Sequence, residues 1–157
     1  MLRIREYQPE DKDQVHTCFL ALQEFLHQLE PTILTGTAAG KYFAFMFARC
    51  AATAGKVFVA EGDYGVVGFV CVWGKVPSED LDEEPGEYAF ISDLIVLPAY
   101  RHQGIGQRLL HAAEAYARAQ GAATLELEVL PTNEQALQLY IRHGFRPYHW
   151  LLKKSLD

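Results

Sequence analysis

The sequence predicts one α/β domain spanning residues 1–157, with a mixed β-sheet flanked by helices. Three observations point there. An apolar stretch from Glu87 to Leu97 runs into a glycine-punctuated turn, an amphipathic helix and a second alternating stretch, Thr124 to Val129. A strand, a helical crossover and another strand imply parallel pairing. Upstream, Lys56–Glu61 and Val66–Val76 read as strands joined by the tight turn Gly62-Asp63-Tyr64-Gly65, an antiparallel hairpin. Finally, 157 residues of which 50% are hydrophobic and 22% charged suffice for one buried core, with no sign of disorder.

Taken in order, Leu2 to Tyr7 alternates apolar and polar residues as a half-buried strand does. Pro9, Glu10 and Asp11 then suit the first turn of a helix. Val15, Cys18, Phe19, Leu22, Phe25, Leu26 and Leu29 give that helix one apolar face, and Pro31 ends it. A second helix is expected from about Thr37 to Ala52, dense in aromatics: Tyr42, Phe43, Phe45 and Phe47. Within the second hairpin strand, Gly68 and Gly74 mark bulges or close backbone approach. The acidic run Pro77 to Gly86 reads as a solvated loop or as a rim that attracts cations.

Ile91, Leu94, Ile95, Val96 and Leu97 make a nearly continuous apolar run, the pattern of a strand covered on both faces. The next helix carries Ile105, Leu109, Ala112, Ala113, Tyr116 and Ala117 on one stripe, with Gly121 placed to close it. In Thr124–Val129, leucines and valine alternate with Glu126 and Glu128. A last helix begins after Pro131-Thr132-Asn133 and stops at Gly144. Trp150, Leu151 and Leu152 form either one final strand or an interface.

The formal net charge of −6 argues against general nucleic-acid or anionic-membrane binding. Cys18, Cys50 and Cys71 are odd in number and scattered among apolar residues, as buried thiols in a reducing compartment would be. Neither a signal-peptide core nor a membrane-length apolar run is evident, so a cytoplasmic protein is expected. No Ser-His-Asp grouping and no metal-ligand spacing stands out, and no metal is expected.

Two motifs carry chemistry. In Arg101-His102-Gln103-Gly104-Ile105-Gly106 the glycines let the backbone turn tightly where a helix begins. The free N–H groups of that helix start, its positive dipole end and Arg101 together suit a phosphate. The second motif is Asn133-Glu134-Gln135-Ala136-Leu137-Gln138-Leu139-Tyr140-Ile141-Arg142-His143-Gly144-Phe145. In their order and spacing the two resemble the GNAT N-acetyltransferase superfamily, over about Glu87 to Phe145. The family's R-x-x-G-x-G falls on Arg101, Gly104 and Gly106. Its N-x-x-A-x-x-x-Y-x-x-x-G-F falls on Asn133, Ala136, Tyr140, Gly144 and Phe145.

The resemblance implies the acyl-CoA N-acyltransferase fold, a strongly twisted mixed sheet, and acetyl-CoA as cosubstrate. It assigns the pyrophosphate to the backbone of Arg101, His102, Gln103, Gly104, Ile105, Gly106 and Gln107. It places the pantetheine arm against Leu94, Ile95 and Val96, with Asn133, Ala136 and Tyr140 beside it; Asn133 reads equally well as a helix cap. The first two helices would wall the acceptor. Tyr140 stands where relatives carry the acid that protonates the departing thiolate, against its plain reading as a core tyrosine. Asp93 interrupts an apolar strand, as a base, a substrate anchor or a hydrogen-bonded structural group; Glu87 and, more remotely, the acidic loop are the other candidate bases, and His143 and His149 read as peripheral. The expected reaction is direct acetyl transfer to a primary amine, with a cationic acceptor favoured by the acidic loop. A different acyl-CoA, a hydroxyl acceptor, or a CoA-binding regulatory module are the alternatives.

Two departures from the family stand out. His102 occupies a position where many relatives have glycine. Only Arg146 to Asp157 follow Phe145, too few for two full closing strands, so the substrate wall is shortened or completed by a second subunit in a homodimer.

Overall fold

The computed structural model describes residues 1–157. Five strands lie in sequence order across one sheet: β1 (Arg3–Glu6), β2 (Lys56–Gly62), β3 (Gly65–Pro77), β4 (Glu87–Val96) and β5 (Leu125–Leu127). Strands β1 to β4 pair antiparallel, and β5 adds in parallel to β4. Between β1 and β2 the chain forms α1 (Lys12–Leu29) and α2 (Gly40–Ala52), each entered through a short 3-10 turn. Helix α3 (Ile105–Ala119) connects β4 to β5, and α4 (Glu134–Arg142) follows β5.

The helices divide the core in two. Val15, Cys18 and Phe19 of α1 and Met46 of α2 pack on Val57, Val59, Phe69, Cys71 and Ile95. On the other face Leu109, Leu110, Ala113 and Ala117 of α3 cover Ala60, Val70, Val72, Ala89 and Ile91. The strand buried on both faces is therefore β3, whose residues Val66 to Val72 are all buried. The sequence expectation assigned that place to β4, but β4 alternates buried and half-buried residues. The cause is β5, which pairs with Ala89, Phe90 and Ile91 and leaves the rest of β4 without a neighbour on that side.

Two close approaches explain glycines in β3. A Cβ at Gly68 would stand 2.5 Å from the carbonyl oxygen of Ile95, and one at Gly74 would stand 2.4 Å from that of Ala54. Both obstacles are backbone, which cannot swing aside.

The start of α1 is fixed by charge. Arg5 donates to both carboxylate oxygens of Asp11, at 2.7 and 2.8 Å, and to Glu61 at 2.9 Å. Asp11 also accepts from the Gln8 N–H at 2.8 Å. This fork joins β1, β2 and the helix entry, and a bidentate guanidinium–carboxylate pair fixes orientation as well as distance.

The final strand suggested by Trp150-Leu151-Leu152 does not form. Residues Arg146–Asp157 have no regular secondary structure and are exposed. No backbone hydrogen bond reaches beyond the Phe145 N–H, which closes α4 onto Tyr140. Segment β5 is also shorter than the alternation from Thr124 to Val129 suggests, holding three residues.

Replacing Gly68 by Ala should force β3 away from β4 beside Ile95 and cost about 1–3 kcal/mol by overpacking. Thermal unfolding measures it, and an unchanged Tm would contradict the close approach.

Candidate active site

The site begins where β4 bends. Cys71 of β3 pairs with Asp93, but the next pair is Val72 with Ile91, so Ser92 is an extra, unpaired residue on β4. A bulge of this kind kinks the strand that carries it. Pairing with β5 stops at Ile91, immediately before the bulge. Past this point the two parallel strands part, and Leu94, Ile95 and Val96 keep pairing with β3 alone. The opening exposes backbone groups of β4 that have no strand to meet. Beside it, the Ser92 hydroxyl oxygen is the one fully buried side-chain polar atom without a hydrogen-bond partner.

At the end of β4 the chain turns into α3. Gly104 adopts φ +75° and His102 φ +62°, both left-handed. Glycine takes that conformation without strain, and histidine is among the few side-chain-bearing residues enriched there. From His102 to Gln107 no backbone N–H donates to any acceptor in the chain; the next, Arg108, bonds Gly104. These six donors sit at the positive end of a 15-residue helix, which suits an anion. Gly106 has a different duty from Gly104. It lies in the first helical turn, where a Cβ would come within 3.2 Å of Leu139 on α4. It sets how closely the two helices approach.

Arg101 is anchored rather than free. Its Nε donates to the carbonyl of Val96 at 3.0 Å, and its guanidinium lies 5.4 Å from the centre of the Phe25 ring on α1. Asn133 accepts from the Ala136 N–H at 3.4 Å, so its carbonyl oxygen caps α4. Ala136 is half-buried in the same helix turn.

On the α1/α2 face, Asp93 is 7% exposed. Its carboxylate accepts a hydrogen bond from the Tyr42 hydroxyl of α2 at 2.9 Å. Burial pushes the Asp93 carboxyl up to about 7, although the bond from Tyr42 works in the opposite direction. Burial, then the neighbouring Asp93 charge, holds the Tyr42 phenol firmly protonated. Tyr140, from α4, is 8% exposed and packs edge-on against Phe145 with ring centres 5.8 Å apart. Its hydroxyl makes no hydrogen bond within the chain, and burial together with the Asp93 charge raises it to about 12. Tyr42, Phe45, Trp73 and Phe90 line one wall, with successive ring centres 6.5, 5.9 and 5.4 Å apart. Glu126 alternates away from Leu125 and Leu127, which pack toward α3, and so lies on the same side as this wall.

Of the residues singled out in the sequence, the fold gathers Asp93, Leu94, Ile95, Val96, the His102–Gln107 backbone and Tyr140 around the strand opening. Glu87 does not join them; it begins β4 opposite Pro77 and is exposed. His143 ties α4 to α3 through Glu114 at 3.1 Å. The sequence reading places Tyr42 among core aromatics or, at the Pro31–Tyr42 end, facing the acceptor, and does not pair it with Asp93. Its signal was the hydroxyl itself: the one phenol among the aromatics of α2, which needs a partner once buried.

The match to known proteins follows this geometry. Residues 19–145 match the model of the Acetyltransferase (GNAT) family, and the chain belongs to that family; it is an acetyltransferase. Its relatives include the uncharacterized N-acetyltransferase YhfO of Bacillus subtilis, 28% identical over 144 residues, which cover 92% of this chain and 89% of that protein. A mutant of the BH1408 protein from Bacillus halodurans superposes with a TM-score of 0.86 at 21% identity, over 99% of each chain. The aminoglycoside N-acetyltransferase AAC(6')-Iy, solved in complex with CoA, superposes with a TM-score of 0.71 at 15% identity, again over 99% of each chain. These structural likenesses establish the GNAT fold.

The raised Asp93 carboxyl predicts a stability signature. A folded-state value near 7, against an ordinary 3.8, means the fold resists ionising this group. Stability should therefore fall as pH rises from about 4 to 7 and stay level above that range. Asp93→Asn keeps an acceptor for Tyr42 and removes the buried charge. Its Tm relative to the parent protein should rise between pH 5 and pH 8. A variant that loses stability at pH 8 would show that the carboxylate is structurally required.

Proposed function

We propose that the protein transfers the acetyl group of acetyl-CoA directly to a primary amine, within a ternary complex and without a covalent enzyme intermediate. Acetyl-CoA supplies a thioester whose acyl carbon is the electrophile. The His102–Gln107 N–H groups and Arg101 would hold the pyrophosphate, while the edge of Leu94, Ile95 and Val96 turned away from β3, where the Val96 carbonyl already accepts from Arg101, receives the amide-bearing arm. The fit rests on six unpaired donors at one helix start, continuous with an opening that exposes unpaired backbone. Ala136 and Asn133 border the arm from α4.

The observation that supports the mechanism is that Asp93 and Tyr140 are both buried, with the Asp93 charge felt at the Tyr140 phenol, so that the proton acceptor and the proton donor are set apart in their titration. An amine attacks only when neutral. A carboxylate that titrates near 7 accepts the ammonium proton at physiological pH, whereas an ordinary carboxylate would be too weak a base. The thiolate leaving group needs a proton, and Tyr140, held protonated, carries one toward it. The ammonium gives its first proton to Asp93; after attack the second N–H proton of the adduct passes to the Tyr140 oxygen as Tyr140 gives its own proton to the departing thiolate, so Tyr140 is restored and Asp93 returns one proton to solvent.

A cationic acceptor is the class that fits best. The wall of Tyr42, Phe45, Trp73 and Phe90 offers ring faces to a cation, with Glu126 and the acidic loop at its margin. Burial first, then the charge of Glu83, raises the Glu126 carboxyl, so a cation placed there would relieve repulsion between the two. The three free, buried cysteines suit a reducing compartment such as the cytoplasm.

Release of CoA thiol across a panel of amines tests the reading. In the parent protein kcat/KM should rise with pH through about 7, the Asp93 value. Tyr140→Phe should lower kcat by about 10²-fold or more with acetyl-CoA affinity little changed. An unchanged kcat would reject Tyr140 as the acid. Raising ionic strength should increase KM for cationic amines more than for neutral ones. Equal sensitivity would remove the cationic preference.

A further inference from the structure

The acceptor wall holds a cation that the rest of the chain leaves unused. Arg49 lies half-buried in the last turn of α2, its guanidinium carbon 5.8 Å from the centre of the Trp73 ring. Its backbone carbonyl serves the helix end by accepting from the Thr53 hydroxyl at 2.8 Å. Its guanidinium joins no ion pair. A place near a helix C-terminus favours a positive charge but leaves the guanidinium donors without acceptors.

Tyr42, Phe45 and Arg49 recur at helical spacing and so share one face of α2. That face looks onto the sheet, where Trp73 pairs with Phe90 and Phe90 with Glu126, a register that puts the three side chains on one side. Phe45 is 52% exposed, so the space between helix and sheet is open at this end. Tyr88, two residues before Phe90, reports the charges gathered there. Burial and then the charge of Glu126 raise its phenol; Arg49 acts against them, and Glu79 and Glu128 act with them. One unpaired cation thus stands among carboxylates at one end of the wall, with Tyr42 and Asp93 at the other.

We propose that the acceptor is an extended amino acid, with its reacting primary amine at Asp93 and a carboxylate at its far end received by Arg49. This rests on the acetyl-transfer reading above and deepens it by naming the acceptor class. A guanidinium fork matches a carboxylate in shape as well as charge. The Trp73 ring face already carries Arg49, so the acceptor's own ammonium is left the Tyr42 and Asp93 end of the wall. Length follows from the helix. Arg49 lies two turns beyond Tyr42, about 10 Å at the rise of an α-helix, so an amine and a carboxylate borne on one carbon cannot reach both ends. The nearby Glu126 favours a singly charged carboxylate over a doubly charged phosphate.

Calorimetry with CoA present, comparing 6-aminohexanoate with pentylamine, reads the contribution of the carboxylate whether or not acetyl transfer occurs. The parent protein should bind 6-aminohexanoate about tenfold or more tightly, as a charge-assisted guanidinium–carboxylate pair would give. Arg49→Gln should bring the two affinities together, whereas a purely structural Arg49 would weaken both alike and leave their ratio. Arg49→Glu should reverse the order in favour of 1,5-diaminopentane. Equal affinities in the parent, no binding of either amine, or a ratio that survives Arg49→Gln would overturn the proposal. So would a preference for glycine over 6-aminohexanoate, which requires the two charges side by side. Thiol release from acetyl-CoA on the same panel separates the two readings. A ratio lost in Arg49→Gln with no thiol release from the parent upholds the ligand class and rejects the transfer.

Discussion

The parting of β4 from β5 is the constraint on which the rest of the structure depends. Ser92 bulges out of register with β3, β4 bends, and the parallel pairing that holds Ala89–Ile91 cannot continue. The proposed site is arranged about that discontinuity. Backbone that would otherwise be spent on a strand neighbour stays open at Leu94–Val96. The same strand runs on into the turn whose bare N–H groups open α3. Sheet and cradle thus share one segment of chain, and their relative placement needs no flexible joint. Rigid elements position such groups more accurately than loops do.

A second consequence concerns charge. The bend brings Asp93 to the buried face that packs against α1 and α2, in a strand otherwise apolar. Burying a carboxylate without a cation is unfavourable, and the fold supplies only the Tyr42 hydroxyl as a partner. The result is a group whose proton is held about as loosely as neutral solution requires. Strain of this kind is expected where local stability and chemistry conflict, and the Asp93 charge reaches Tyr140, the other displaced group.

Much of this was legible in the sequence because it is written in local signals. Strand alternation, the apolar stripes of α1 and α3, and the glycines at 104, 121 and 144 identify elements and their ends from neighbouring residues alone. The two motifs fall at the turn into α3 and on α4, which carries Tyr140. Less legible were features created by pairing over distance. Nothing in Glu87–Leu97 says that β5 releases β4 at Ile91, so the run looked doubly covered, when it is β3 that is. Tyr42 joins Asp93 across 51 positions, a separation that periodicity does not report. Gly106 looked like part of the turn and instead admits Leu139. The tail has strand-like composition, but a strand needs a neighbour, and its own chain provides none.

The most direct test of the central claim, that the β4–β5 opening and the α3 start together receive the donor, is an amide NMR titration with CoA. The account predicts shifts concentrated at Leu94–Val96 and His102–Gln107, with smaller ones at Ala136 and Tyr140. Shifts confined to another face, or saturating binding that leaves both backbone segments unmoved, would contradict it.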